Sequence, residues 1–191
     1  RDPLGEVGGD VDAADHEAFI SALRSCSAEQ GVTVLAYALL SQQVQLILIP
    51  DRAEALGRMM QALTRQYVGP FNRKHARAGA LWQSRFSSAP LQANLHLLDC
   101  VVYVEQAPQR SGFAGAAFEY PWSSACHHAG LRSERWLAAM PPDSAYWKLG
   151  NTPFERDAAY RHLLERPMSL AQVQRIESTV LKGWALGSGE F

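Results

Sequence analysis

No apolar run in this 191-residue chain approaches the roughly 20 residues needed to span a bilayer. No charged-apolar-small leader opens it, so a cytoplasmic location is expected. Cysteine is scarce: Cys26, Cys100 and Cys126 are far apart, odd in number and without a CxxC pair. That pattern excludes a disulfide frame and a cysteine zinc site and predicts reduced thiols. Histidine is missing where its absence says most. Gln43 and Gln45 stand at i and i+2 in a strand-like run, so both side chains leave the same face. Two histidines at that spacing would make a metal-binding edge, whereas a neutral amide oxygen is a weak ligand for a divalent metal.

An apolar content of 47% and a charged content of 19% describe a globular protein long enough to bury a real core. The net charge of −1 hides an asymmetry. Residues 1–30 carry Asp2, Glu6, Asp10, Asp12, Asp15, Glu17 and Glu29 against Arg1 and Arg24. Residues 52–86 carry Arg52, Arg58, Arg65, Arg73, Lys74, Arg77 and Arg85 against Glu54 alone. A polyanion is the partner that such a local field favours.

Residues 1–14 are rich in Gly and Asp and read as a loop or frayed terminus. Asp15 is placed to cap a helix from about His16 to Gln30, stopped by Gly31. Val32–Ala38 and Val44–Ile49 predict a hairpin around Ser41, Gln42 and Gln43, ended by Pro50. A helix follows over Ala53–Asn72, with Leu56, Met59, Met60, Leu63 and Tyr67 as its apolar stripe and an expected interruption at Gly69-Pro70. Leu81–Leu91 alternates loosely enough for a third strand. A third helix over residues 92–107 is closed by Pro108, and two more are expected near 153–165 and 169–182. The fold class is therefore α+β: a ferredoxin-like antiparallel sheet with helices on one face and its first strand missing, plus a helical C-terminal extension. The expected division is 1–14, a domain over 15–130, and the extension over 131–191.

On the third helix, Leu95, Leu98, Val101, Val102 and Glu105 follow the period on one side. His96, Asp99, Tyr103 and Ala107 follow it on the other. Tyr103 thus falls on the less apolar face, where its hydroxyl either reaches a site or merely wets its tip. From about Val34 to Ala129 the chain resembles the single-strand tyrosine transposases with an HUH motif, closest to the REP-associated branch. The segments that carry the resemblance are Ala36-Tyr37-Ala38-Leu39-Leu40 leading into Gln43-Val44-Gln45-Leu46, Phe71-Asn72-Arg73, Gly79 to Phe86, Tyr103-Val104-Glu105, and Tyr120-Pro121-Trp122-Ser123-Ser124. Lys182 to Gly187 adds a C-terminal phrase of the same family.

The resemblance implies a fold in which two motif histidines hold a divalent metal such as Mg2+ or Mn2+ and a helix tyrosine attacks the scissile phosphate. The nucleophile position is Tyr103. The histidine positions are Gln43 and Gln45, and the usual asparagine one turn after the tyrosine is Ala107. With all three ligands replaced, no strand cleavage and no metal cofactor are expected. The basic strip of the family is matched by Arg65, Arg73, Lys74, Arg77 and Arg85, with Trp82 among them as a stacking surface for bases. Hairpin or single-stranded DNA is then the expected partner, in a bacterial, DNA-regulatory role. Two other readings stay open: a working Tyr103 with metal held by groups such as Asp99 or Glu105, and a protein-interaction module that ignores DNA. His127-His128 reads as a solvated loop pair, since adjacent residues share no helix face.

Overall fold

The computed structural model describes residues 11–82 and 86–189. Its elements are α1 (Ala13–Gln30), β1 (Val32–Leu39), β2 (Val44–Pro50), α2 (Ala53–Lys74), α3 (Ala93–Glu105), α4 (Ala107–Arg110), α5 (Ala125–His128), α6 (Pro153–Glu165) and α7 (Leu170–Lys182). Short 3-10 turns lie at Ala117–Glu119 and Ala145–Leu149. The α+β expectation holds, with a two-stranded antiparallel sheet. Among the described residues that sheet is smaller than expected. The described residues of 81–91 form no strand, and Leu91 makes a single parallel bridge to Leu186. No described helix is long and apolar enough to cross a membrane.

The chain divides into two compact units. The first takes in residues up to Val34, Leu39–Val44 and Leu48–Phe86, and the second Leu35–Ala38, Gln45–Ile47 and Ser87 onward. The segment 131–191 thus clusters with residues 87–130 and not as a separate extension. Of the segment 1–14, residues 1–10 lie outside the described residues, and α1 already starts at Ala13.

In the first unit α1 is capped by Asp12, not by Asp15. The Asp12 carboxylate accepts from the Asp15 N–H, and the Asp15 carboxylate accepts from the Asp12 N–H, both at 3.0 Å. This reciprocal box starts the helix three residues earlier than a lone Asp15 cap would. Gly31 ends it in the left-handed region at φ 67°, which glycine adopts without strain, and a Cβ there would lie 2.2 Å from Asp51 Oδ2 and displace that carboxylate. The hairpin closes through the Leu40 N–H, which donates to the Gln43 carbonyl at 2.8 Å. α2 runs without a break through Pro70, because Gly69 and Pro70 are both exposed and the lost hydrogen bond costs little beside water. Its stripe of Met59, Leu63, Tyr67 and Phe71 is buried. Phe19 meets Tyr67 edge-on at 5.0 Å between ring centroids, and Trp82 lies over Tyr67 at 6.2 Å.

The core of the second unit is built from Leu35, Ala36, Leu97, Val101, Val102, Ala125, Ala129, Met140, Tyr160 and Leu164. Its alanines let backbones approach closely. Pro108 does not simply close the third helix but sits in the first turn of α4, where its missing N–H has no partner to lose. Gln106 is 1% exposed, and its Nε2 donates to the carbonyls of Leu163, Leu164 and Arg166 at 3.2, 3.1 and 2.7 Å. Those are the free carbonyls at the end of α6, which this side chain satisfies from outside the helix.

Candidate functional site

Each unit brings together one set of the residues singled out by sequence. In the first unit, Arg65 and Arg73 are exposed on α2, and neither makes an ion pair among the described residues. Lys74 is different: its ammonium donates to Asp12 Oδ1 at 2.6 Å and to Asp15 Oδ1 at 2.9 Å. His75 Nε2 lies 2.9 Å from Asp15 Oδ2. Lys74 thus serves the start of α1, and its charge is answered inside the unit. The Lys74 bond is the largest cause that holds the Asp12 carboxyl at about 2. Burial pushes Asp15 upward, but the bonds from Lys74, the Asp12 backbone and His75 outweigh it and leave it below the usual range.

Arg77 is half-buried with its guanidinium 5.9 Å from the centre of the Phe71 ring, and its Nη1 is buried without a partner. Trp82 is also half-buried and packs on Tyr67 and Phe19. The predicted strip therefore reduces to Arg65 and Arg73 as free exposed cations, with Arg77 and Trp82 in an aromatic cluster. Arg85 lies outside the described residues. Gln43 is half-buried in this unit, just before β2.

The second unit holds the tyrosine. Tyr103 is 8% exposed, not on a wet face: its hydroxyl donates to Glu177 Oε1 of α7 at 3.1 Å, and the Arg110 guanidinium lies 4.1 Å above its ring. The helical period could not reveal this, because the last turns of α3 are buried on all sides, from Cys100 to Glu105. Burial above all, and then the Glu177 carboxylate, raises the Tyr103 hydroxyl to about 12. A phenol so placed is a poor nucleophile near neutrality. Ala107 is 1% exposed and offers only a methyl group. Gln45 is half-buried in β2 with its Oε1 buried and unpartnered, and Asp99 is exposed.

Glu105 is the residue whose place was least foreseen. It is 0% exposed and accepts from Ser124 Oγ at 2.5 Å, from His128 Nδ1 at 2.6 Å and from the Tyr160 hydroxyl at 2.6 Å. Ser124 also ties to β1, where the Tyr37 N–H donates to its Oγ at 3.0 Å. His127 and His128 lie on α5, and His128 is 5% exposed, so the pair is not a solvated loop. The signal for this hub was present as a carboxylate closing the apolar run Val101-Val102-Tyr103-Val104, and as serines inside a Pro-Trp-Ser-Ser phrase.

A second hub surrounds Glu134, which accepts from the Tyr37 hydroxyl at 3.0 Å, from Trp136 Nε1 at 3.0 Å and from Arg132. No family model, curated protein or solved structure matches the chain.

Proposed function

We propose that the chain is a DNA-binding protein derived from a tyrosine transposase, without strand-cleaving activity, that binds hairpin or single-stranded DNA in a cytoplasmic regulatory role. The observation that carries this reading is the pair Arg65 and Arg73, exposed about two turns apart on α2 and unanswered by any acid among the described residues. Support for catalytic inertness comes from residue identity. Gln43, Gln45 and Ala107 stand at the metal-ligand positions that the transposase resemblance implies, and Tyr103 is buried against Glu177 with its proton held to about 12. Of the two acids on α3 named as alternative ligands, Asp99 and Glu105, Glu105 already accepts three hydrogen bonds.

The test is fluorescence anisotropy of labelled hairpin, single strand and duplex at two salt concentrations. Arg65→Glu and Arg73→Glu are each expected to weaken binding and to reduce the salt slope by about one phosphate contact. Lys74→Glu is unsuitable here, since it would also disturb α1. Salt-insensitive binding, or affinity untouched by both reversals, would remove the reading. A covalent adduct with a labelled hairpin in Mn2+, lost in Tyr103→Phe, would overturn its inert part.

A further inference from the structure

The two edges of the hairpin sheet are treated differently by the rest of the chain. On β1, the Tyr37 N–H donates to Ser124 Oγ and the Tyr37 carbonyl accepts from the Ser124 N–H, both at 3.0 Å. An antiparallel bridge from Ala38 to Ser123 continues that cover. β2 has none. The sheet holds only β1 and β2, and no described group outside the hairpin bonds to the backbone between Val44 and Ile49. The register identifies the groups left over. The Leu40 N–H donates to the Gln43 carbonyl across a two-residue turn, so those residues form a hydrogen-bonded pair. Such pairs recur at every second residue, which turns the N–H and C=O of Gln43, Gln45, Ile47 and Ile49 toward β1. Those of Val44, Leu46 and Leu48 turn away from it. Tyr37 fits this register, since it stands opposite Leu46 and directs its own groups away from β2, to Ser124.

An open edge is ordinarily blunted by a charge or an internal proline, because a row of free backbone groups templates another strand. From Gln43 to Ile49 the strand carries neither, and Pro50 stands only at its end. The row is also its own complement. Turned about a two-fold axis through Leu46, a second β2 sets Val44 against Leu48 and Leu46 against Leu46, and each pair exchanges two hydrogen bonds. The facing segments are neutral, so no like charge opposes their approach. Pro50, which has no N–H to give, falls opposite Gln42 of the turn, where the ladder ends. Such a contact uses the same edge on both copies and closes at two.

We propose that the outer edge of β2 is a homodimer interface, in which two copies of this chain pair antiparallel about Leu46 to make a four-stranded sheet. The inference goes beyond the DNA-binding reading, and its test needs no nucleic acid, so either can fail alone.

The experiment is sedimentation velocity of the full chain without DNA, between about 1 and 100 μM. The parent is expected to move from monomer toward dimer over that range. Leu46→Pro removes the central N–H of both copies and leaves the bonds to β1, because the Leu46 backbone groups face away from it. It is expected to weaken self-association at least about tenfold while keeping the far-UV circular dichroism of the parent. Register is read separately by oxidising two cysteine variants. The two copies of Leu46→Cys face each other across the axis, within reach of a disulfide. Those of Gln42→Cys lie about 26 Å apart along the paired strands. Leu46→Cys is expected to give a disulfide-linked dimer faster than Gln42→Cys and faster than the parent, whose Cys26, Cys100 and Cys126 set the background. This pair of variants decides the matter should the proline variant fail to fold. A parent that stays monomeric throughout overturns the proposal and leaves the edge to a different polypeptide. A dimer untouched by Leu46→Pro, or a Leu46→Cys variant that links no faster than Gln42→Cys, overturns it as well.

Discussion

Glu105 in the second unit and Asp15 in the first are both closed off from water, at 0% and 3% exposed, yet they are stabilised by opposite means. Glu105 accepts from a hydroxyl, a phenol and an imidazole in a dry core. Asp15 sits at the rim of α1 against Lys74 and His75, with a backbone N–H shared through Asp12. The first arrangement is a packing device, because its donors come from α5, α6 and the Pro-Trp-Ser-Ser segment and tie all three to the Glu105 acceptor on α3. The second is a charge device whose strength follows pH and salt. A cation counted by sequence toward a DNA surface is thereby diverted to hold a helix terminus.

The comparison predicts that the two carboxylates fail differently when altered. Glu105→Ala strands the His128 Nδ1–H and the Tyr160 hydroxyl in the core, at an expected cost of about 3–5 kcal/mol in urea unfolding. Glu105→Gln keeps the shape and one acceptor and is expected to cost less than half as much. A loss under about 1 kcal/mol for the alanine variant would mean that the hub does not organise the second unit. Lys74→Met, which leaves Asp15 with His75 as its remaining side-chain partner, is expected to lower the urea midpoint by less than Glu105→Ala does.

Acid sharpens the contrast further. Asp12, held at about 2, and Asp15, held below the usual range, have folded values beneath their unfolded ones. Their stabilisation is therefore complete above the ordinary carboxylate range near 4 and is lost as pH falls from there toward about 2. Trp82 is the tryptophan of the first unit and rests on Tyr67 and Phe19, so its fluorescence reports that loss. A transition in Trp82 emission between about pH 4 and pH 2 is expected in the parent, and a flatter one in Lys74→Met. An acid profile unchanged by the substitution would break the link between Lys74 and the α1 cap.

The elements with strong punctuation were legible in the sequence. The hairpin, α2 and the helices near 153–165 and 169–182 fall within a few residues of their expected bounds, since Gly31, Pro50, Thr152 and Ser169 mark their ends. Elements that depend on partners distant in sequence were not. The Asp12–Asp15 box is a local spacing that the Asp15 assignment passed over, whereas nothing local tells that Lys74 returns across the unit to meet it. The loose alternation of Leu81–Leu91 suggested a strand, but the described residues of that span pair with the rest of the chain through a single bridge, from Leu91 to Leu186. At the candidate sites, residue identity was informative and placement was not. The glutamines and Ala107 were legible at once. The burial of Tyr103 depends on Glu177 and Arg110, which helical periodicity cannot place. His128 looked solvated because its partner, Glu105, is 23 residues away.

The smallest predicted effect bears on the tyrosine itself. Tyr103→Phe removes one hydroxyl bond to Glu177 while keeping the ring under Arg110, and its expected cost is about 0.5–1.5 kcal/mol. The sign of its pH dependence is opposite to that of the acid cap. The folded value of about 12 lies above the free phenol near 10, so the neutral hydroxyl contributes stability below pH 10 that disappears as pH rises toward 12. Ultraviolet difference spectroscopy of the parent against Tyr103→Phe should show one phenol titrating at about 12, and the variant should bind hairpin DNA as the parent does. A phenol titrating near 10 would place the hydroxyl in water and reopen its use as a nucleophile. A loss of DNA affinity in the variant would move the binding surface from α2 to α3.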